Sequence, residues 1–532
     1  MTSNSIALPA HGETVSNLSF VSVAHMTGGR RRRHRVLRIA LVVALVVVAA
    51  AVGGVALYAS TSQDSGGTSA AGAATTPAVV TSEPSVTTSL APAASPPAAL
   101  ASPSPAVPAL WERAPSPAAS VLQPAPLSGA RDPSMAGLAA TLAPLLGDRA
   151  FAGDDVAMLV ADAASGRVLF DHDGADGVPP ASTAKLAVAV AALQVLGPDA
   201  HLTTRVVQGS RPSQVVLVGG GDPTLSGPAA VGPLSPGYPT PASLVTLAQL
   251  TAAQLHARAI TTVTLGYDAS LFVGAPLAPG WKPNYQTEGD IAPVSALEVD
   301  EGHPNPALAA TAADPAAVAA AEFADLLTSD GVTVIGVPTS GHAVPGKAVI
   351  ASVASPPMSE LVQRMLGRSD NDLAEALSRQ VAIATGHPAS FAGGVAAVQA
   401  AIASQGVDPA GLATVDASGL SRLDRVKPAT LVSLLRLAVD PGHSQLTPIL
   451  AGLPVAGFSG TLSGRFGGPA AAGAGVIRAK TGTLDGVVTL AGYLQDSSGA
   501  TLVFATIVTG VAKTANATTE EAVDRLTASL VP

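Results

Sequence analysis

Three short groups of residues in this chain could act together on a carbonyl. The first is Ser182-Thr183-Ala184-Lys185, preceded by Pro179-Pro180 and followed by the almost wholly apolar run Leu186 to Leu196. Proline before, a hydroxyl residue at the start and an apolar run after predict a buried helix beginning near Ser182. Residues three apart share a helix face, so the Ser182 hydroxyl and the Lys185 amine can meet. An exposed lysine, with an ordinary pKa of about 10.4, keeps its proton at neutral pH and cannot take one from serine. A lysine flanked by apolar surface and a second cation loses part of that preference and can serve as the base for a serine nucleophile. Alone the motif is weak: that one of six lysines has a serine three residues before it is within chance.

The second group, Ser369-Asp370-Asn371, opens an amphipathic segment with Leu373, Ala376 and Leu377. Ser, Asp and Asn are favoured helix N-caps, and by itself the triplet reads as an ordinary cap. The third, Lys480-Thr481-Gly482-Thr483, lies in a predicted strand bordered by Val476 and Val487. Glycine inside a strand often marks close approach by a ligand, and lysine beside a hydroxyl suits a carboxylate; an unremarkable edge-strand lysine is the alternative. The absence of cysteine excludes disulfides, thiolate nucleophiles and Cys-ligated metals. The ten histidines show no paired ligand spacing, so neither a metal nor a cofactor is expected. No G-x-S-x-G elbow accompanies a histidine, which makes a Ser-His-Asp hydrolase a poor fit.

The elements that must position these groups are legible in outline. Met135 to Leu146 has apolar residues at helical spacing. Val156 to Asp162 and Arg167 to Asp171 read as a hairpin around Ala163-Ala164-Ser165-Gly166. Near the far end, Val476 to Thr481, Val487 to Leu494 and Thr501 to Thr509 read as strands, and Thr519 to Leu530 as a closing helix. Strands from both ends are therefore expected to share one antiparallel sheet, with the middle of the chain inserted between them. The insertion holds strand-like pieces (Val215 to Val218, Thr262 to Leu265) and a helical piece (Pro315 to Leu327), so it is not solely disordered.

Ahead of the folded part come segments of a different character. Arg30, Arg31, Arg32, Arg33, Arg35 and Arg38 sit in a stretch without an acid; without these six, the 28 basic residues fall to 22 against 37 acids, a net of −15. So acidic a body argues against a nucleic-acid partner. Ile39 to Tyr58 carries no charge and, at about 1.5 Å rise per residue, spans roughly 30 Å, one hydrocarbon core. The arginines keep its N-terminal side in the cytoplasm. A cleaved signal peptide is the alternative, with only a weak cleavage stretch around Ala56 to Ser60. The expected organisation is a disordered cytoplasmic tail (1–38), a transmembrane helix (39–58), an Ala/Pro/Ser/Thr-rich linker (59–132), a catalytic domain (133–204 and 351–532) and inserted domain or domains (205–350). The linker, extended, could reach on the order of 200 Å, enough to stand off a membrane; a plain disordered tether is equally compatible.

Together the three groups resemble the S-x-x-K, S-D-N and K-T-G set of β-lactamases and penicillin-binding proteins. Gly221-Asp222-Pro223-Thr224-Leu225, Ala292-Pro293-Val294-Ser295-Ala296-Leu297, Asp416-Ala417-Ser418-Gly419-Leu420-Ser421 and Gly457-Phe458-Ser459-Gly460-Thr461-Leu462 look like signatures of one branch. That branch is the class C low-molecular-mass penicillin-binding proteins, the D-alanyl-D-alanine carboxypeptidase/endopeptidase family, and the resemblance covers roughly residues 135–530. It implies an α/β (α+β) transpeptidase-like domain with a five-stranded antiparallel sheet flanked by helices, plus smaller inserted domains. It also implies action on peptidoglycan stem peptides, with β-lactams as covalent inhibitors; the arginine cluster and uncharged run give the expectation that this action is extracytoplasmic, with attachment to the cell membrane through the N-terminal helix.

By the same resemblance Ser182 is the nucleophile and Lys185 its base, with the oxyanion held by backbone N–H groups of Ser182 and Thr483. Ser369 would relay a proton to the leaving amine, and Asn371 would hold a substrate amide and orient Lys185. Lys480, Thr481 and Thr483, around Gly482, would bind the terminal carboxylate. A β-lactamase shares the acylation chemistry, but no E-x-x-L-N element is present and the gap between Ser182 and Ser369 is far longer than a compact β-lactamase needs. An idle wall-binding scaffold of the same fold is the other alternative, against which the intact motifs weigh. Trp281 and Tyr285, in a Gly/Pro-flanked loop of the insertion, read first as packing residues and second as contacts to the peptide.

Overall fold

The computed structural model of the chain describes residues 135–228, 240–305 and 308–531. The predicted tail, membrane helix and linker (1–38, 39–58, 59–132) lie outside them, and among the described residues no helix is long and apolar enough to cross a membrane.

The described chain begins with helix α1 (Met135–Leu146) and the hairpin of strands β1 (Asp155–Asp162) and β2 (Val168–His172). The turn between them closes on Asp162, whose Oδ1 accepts from Ser165 N at 2.7 Å, and Gly166 takes the left-handed φ of 73° that glycine tolerates. A 3₁₀ turn over Ala181–Ala184 leads into α2 (Lys185–Val195). Lys185 through Leu193 are all buried, and a helix apolar on every side belongs inside a core.

The chain then builds a second sheet: β3 (Thr203–Gln208), β4 (Gln214–Val218), α3 (Leu244–His256), β5 (Thr262–Asp268), α4 (Pro315–Ser329), β6 (Thr333–Val334) and β7 (Val349–Ala354). Its strand order is β6-β5-β4-β3-β7, with Thr339–Ser340 also paired to β5. β4 and β5 run parallel, and α3 supplies the crossover that a parallel pair requires. Val206, Leu217, Leu247 and Phe323 form the core beneath this sheet. β3 and β7, where the segment enters and leaves, lie side by side with Thr203 opposite Ala354.

Next come α5 (Met358–Arg368), α6 (Asn371–Ala384), α7 (Phe391–Ser404) and α8 (Pro428–Val439), followed by a short helix over Thr447–Gly452. Strands β8 (Arg478–Leu484), β9 (Val487–Gln495) and β10 (Thr501–Thr509) and helix α9 (Asn516–Ala528) complete the chain. The first sheet has five strands in the order β8-β9-β10-β1-β2, every neighbouring pair antiparallel. The two ends of the fold thus meet in one sheet, with Leu159 of β1 opposite Ala505 of β10. Successive side chains on a strand face opposite sides. Leu502, Phe504 and Val508 accordingly join α1 and α9 in one core, while Val503, Ala505 and Ile507 join α2 in the other. A sheet covered on both faces reads as a continuous apolar run, which is what Thr501–Thr509 is.

Most of the expected strands and helices shift by one to three residues at an end, and three shifts bear on the site. Ser182 sits in the 3₁₀ turn ahead of α2 and not in the α-helix itself; the strand expected from Val476 begins at Arg478 and runs on to Leu484; the closing helix starts earlier, at Asn516. β8 and β9 approach so closely at Gly492 that an added Cβ would lie 2.1 Å from the Arg478 carbonyl oxygen and 2.6 Å from Ala479 Cα. Gly492→Ala should therefore force β8 away from β9 and cost about 1–3 kcal/mol, read as a lowered urea midpoint of the full chain. An unchanged midpoint would show that β8 shifts freely.

Candidate active site

The site is built around one buried amine. Lys185 Nζ donates to Ser182 Oγ at 3.0 Å, to Asn371 Oδ1 at 2.7 Å and to the Ser418 carbonyl at 2.5 Å. The 3₁₀ turn explains the first contact, since at about three residues per turn the side chains at i and i+3 line up. The turn is itself strained: Ala181, fully buried immediately before Ser182, has φ 46°. Burial pushes the Lys185 pKa down to about 8, against the partial opposition of Asp416 and Glu375.

Asn371 reaches Lys185 because two helices are joined almost without a loop. Ser369 ends α5 in the left-handed region (φ 61°), and Asp370 caps α6 by accepting from Leu373 N at 2.9 Å. The cap of the Ser369-Asp370-Asn371 triplet is therefore Asp370, while Asn371 is the first helical residue and faces the lysine. Asn371 Nδ2 donates to the Asp290 carbonyl at 2.7 Å, which fixes Oδ1 as the atom presented to Lys185. Ser369 is half-buried in the same turn.

The third acceptor belongs to the loop 416–421. Asp416 holds that loop by accepting from Gly419 N and Ser421 N, each at 2.8 Å. At Gly419, with φ 79°, a Cβ would sit 2.0 Å from the Ala181 carbonyl oxygen, so the loop packs directly on the 3₁₀ turn. The same loop holds the insertion: Trp281 Nε1 donates to Asp416 Oδ2 at 2.7 Å, Ser421 Oγ to the Pro279 carbonyl at 2.8 Å and Tyr285 OH to the Leu420 carbonyl at 3.3 Å. Trp281 and Tyr285 are thus packing residues at the edge of the site.

Strand β8 forms the opposite wall. Lys480 is fully buried and donates to the carbonyl of Thr481 at 2.7 Å; burial and then the charge of Lys185 hold its pKa well below the ordinary lysine value. A Cβ on Gly482 would lie 2.9 Å from Ser182 N and 2.3 Å from Thr489 Oγ1, so glycine lets the strand close on the nucleophile. The Thr481 hydroxyl pairs with that of Thr461 at 2.7 Å. Thr483 is exposed, and its hydroxyl donates to Glu520 of α9 at 2.8 Å. Ser182, Lys185, Asn371, Lys480 and Gly482 therefore converge, whereas Thr483 is engaged with a side chain the sequence reading had not considered. That reading also missed Glu375, Thr461, Thr489 and the Ser418 carbonyl; the last and Thr461 fall within its quoted signatures.

Two groups of carboxylates brace this arrangement. Asp222, Glu298, Glu301 and Asp372 lie around the start of α6 with Asp370 and Arg364; Arg364 bridges Asp370 (3.1 Å) and Glu301, and Asp372 accepts from Ala292 N at 2.9 Å. Burial raises the pKa of Asp222 to about 6 and of Glu301 to about 7, and those of Glu298 and Asp372 well above the usual carboxylate range. Beside the loop, Asp424 Oδ1 accepts from Val415 N at 2.7 Å, and its buried Oδ2 has no hydrogen-bond partner among the described residues. Burial and then Asp416 push its pKa up to about 10. A folded-state pKa this far above 3.8 means stability present in full below about 3.8 and lost as pH rises toward about 10. Asp424→Asn, which keeps the acceptor and needs no proton, should raise Tm by about 2 °C or more at pH 8, with the gain vanishing near pH 4. A gain that does not grow with pH would contradict this assignment.

The chain matches the D-Ala-D-Ala carboxypeptidase 3 (S13) family over residues 138–313 and 304–530. It is 39% identical over 390 residues to a carboxypeptidase of Mycobacterium tuberculosis (71% of this chain, 81% of that one). It is 38% identical over 408 residues to the carboxypeptidase DacB of Mycolicibacterium smegmatis (75% and 84%). It is 31% identical over 423 residues to the D-alanyl-D-alanine carboxypeptidase of Actinomadura sp. strain R39 (67% and 78%). Among solved structures, penicillin binding protein 4 of Haemophilus influenzae superposes with a TM-score of 0.59 at 22% identity, covering 71% of this chain and 93% of that one, so the fold is the mixed α/β penicillin-binding, β-lactamase-like one. With the motifs converged on one cleft and the match running over nearly all of the described residues, the chain belongs to the D-Ala-D-Ala carboxypeptidase 3 (S13) family.

Proposed function

We propose that the chain is a serine D-alanyl-D-alanine carboxypeptidase, and endopeptidase, that cuts peptidoglycan stem peptides through an acyl-enzyme on Ser182. The observation that carries this reading is the hydrogen-bond set of Lys185 Nζ. As an ammonium it donates three bonds. When it loses its proton it keeps two N–H donors and one lone pair. The Ser418 carbonyl and Asn371 Oδ1 can only accept, so they hold the two donors and the lone pair is left facing Ser182 Oγ. With a pKa of about 8, the neutral form is about a tenth of the total at pH 7, equivalent to about 1.4 kcal/mol.

Catalysis then proceeds with every proton assigned. Lys185 takes the hydroxyl proton as Ser182 Oγ bonds to the carbonyl carbon of the penultimate D-Ala. The oxyanion that forms is held by the N–H groups of Ser182 and Thr483. The C–N bond breaks as the proton held by Lys185 passes through Ser369 to the leaving amine, which leaves Lys185 neutral again. Lys185 then takes a proton from the water that attacks the ester carbonyl and returns it to Ser182 Oγ as the ester C–O bond breaks. Asn371 steers Lys185 and holds the substrate amide. Lys480, buried and hydrogen-bonded to the Thr481 carbonyl, meets the terminal carboxylate together with Thr481 and Thr483. Thr483 gives up Glu520 to do so. The Arg30–Arg38 cluster followed by the uncharged run Ile39 to Tyr58 supports a membrane anchor with the catalytic part on the extracytoplasmic side.

Mass spectrometry after incubation with a pentapeptide should show loss of one alanine, and with a cross-linked muropeptide splitting of the dimer; neither change would end the proposal. Labelled penicillin should attach covalently to the chain and not to Ser182→Ala; Lys185→Ala should slow attachment about 10²–10⁴-fold. Because Lys185 must be neutral, the acylation rate should climb with pH to half its maximum at about 8. A rate independent of pH across that range would remove Lys185 as the base.

A further inference from the structure

We infer that Glu375 is a positioning residue for the base: by holding the two peptide units ahead of the Ser418 carbonyl, it keeps that acceptor in place against Lys185 Nζ. The inference rests on the proposed role of Lys185. Glu375 lies one turn into α6, fully buried, with Oε1 accepting from Ala417 N at 2.9 Å and Ser418 N at 2.8 Å. One carboxylate oxygen thus pins the two peptide units immediately ahead of the Ser418 carbonyl, which lies 2.5 Å from Lys185 Nζ and whose own peptide unit Asp416 holds through Gly419 N. The other oxygen meets Arg379 Nη1 at 3.1 Å. Arg379 is buried in turn, its guanidinium 4.1 Å from the Phe391 ring centroid, and its Nη1 also donates to the Glu375 carbonyl at 3.0 Å.

An ordinary structural ion pair does not need this design. Taking two charges out of water costs more than apolar side chains of the same volume would, so a fully buried pair within a helix adds little stability by itself. The gain lies in placement. A carboxylate accepts two adjacent backbone N–H groups more strongly than a neutral amide does, and Arg379 favours its ionised form against burial. The charges facing Lys185 are Glu375, Asp370 and Asp372 from α6, Asp416 from the loop and Lys480 from β8. Glu375 and Asp416 oppose burial most strongly and keep the amine from falling further below its ordinary pKa.

Two variants test this by stopped-flow acylation with a fluorescent penicillin, separating the pre-acylation affinity from the acylation rate constant. Glu375→Ala should lower the rate constant at least about tenfold while affinity stays within about twofold, because Lys480 and Thr481 are untouched. Glu375→Gln keeps an acceptor for the two N–H groups but loses the charge. It should restore most of the rate above the pH limb and move the limb to lower pH by about half a unit or more. The assignment is overturned if Glu375→Gln leaves the limb where the wild-type chain has it, or if Glu375→Ala loses rate and affinity in equal measure. Should Glu375→Ala not fold, the limb of the Gln variant decides alone. A wild-type chain that shows no pH limb would instead sink the assignment of Lys185 as base, so the two failures are distinguishable.

Discussion

Everything about this site follows from an amine that is out of water and has two partners that can only accept. Those partners decide where its free electron pair points once the proton leaves. They come from segments far apart in the chain: Asn371 from the first residue of α6, Ser418 from a loop beyond α7, with the serine itself one turn before the lysine. Such geometry cannot be local. It requires α2 to sit inside the core, α6 to start abruptly after α5, and the loop to be held against the 3₁₀ turn. Much of the described fold can be read as a frame for those three requirements.

The frame relies on strain and on polar groups buried in places where neither is favourable by itself. Ala181 and Ser369 both occupy left-handed backbone, one just before the nucleophile and one at the first residue of the second motif. Each costs about 1–3 kcal/mol and persists only where surrounding contacts over-determine it. Around Ser369 the over-determination is visible: Arg364 reaches Asp370, Asp370 caps α6, and Asp372 takes the Ala292 N–H from the insertion. Around Ala181 it is the close packing of Gly419 and Gly482, neither of which could carry a side chain.

What the sequence made legible were features whose cause is local. Apolar runs bounded by turn residues marked β1, β2, β9 and β10, and the apolar run after Lys185 marked α2 as interior. The motifs could be paired with chemistry because their residue types are so specific to it. What stayed hidden depends on distant packing. Glu375 and Arg379 stand four apart, the spacing of a solvent-exposed ion pair, and only the tertiary arrangement shows both buried. Ser418 contributes a carbonyl, which no residue type announces. The link from Thr483 to Glu520 joins a strand to a helix that follows two further strands, and neither residue is distinctive in its own segment.

The pairing of β3 with β7 has an implication for how such a chain could have been assembled. Where a long segment departs and returns through two neighbouring strands, the body it leaves has only to tolerate a narrow stem, not a rethreaded core. A gene encoding a plain transpeptidase-like body could acquire, lose or trade the whole excursion in a single event and still fold. The exchange would not be silent, however. The incoming piece would have to bring its own backbone carbonyl for Asn371 and its own indole for Asp416. Those two contacts, more than the sheet that delivers them, mark which cassettes a working enzyme could keep.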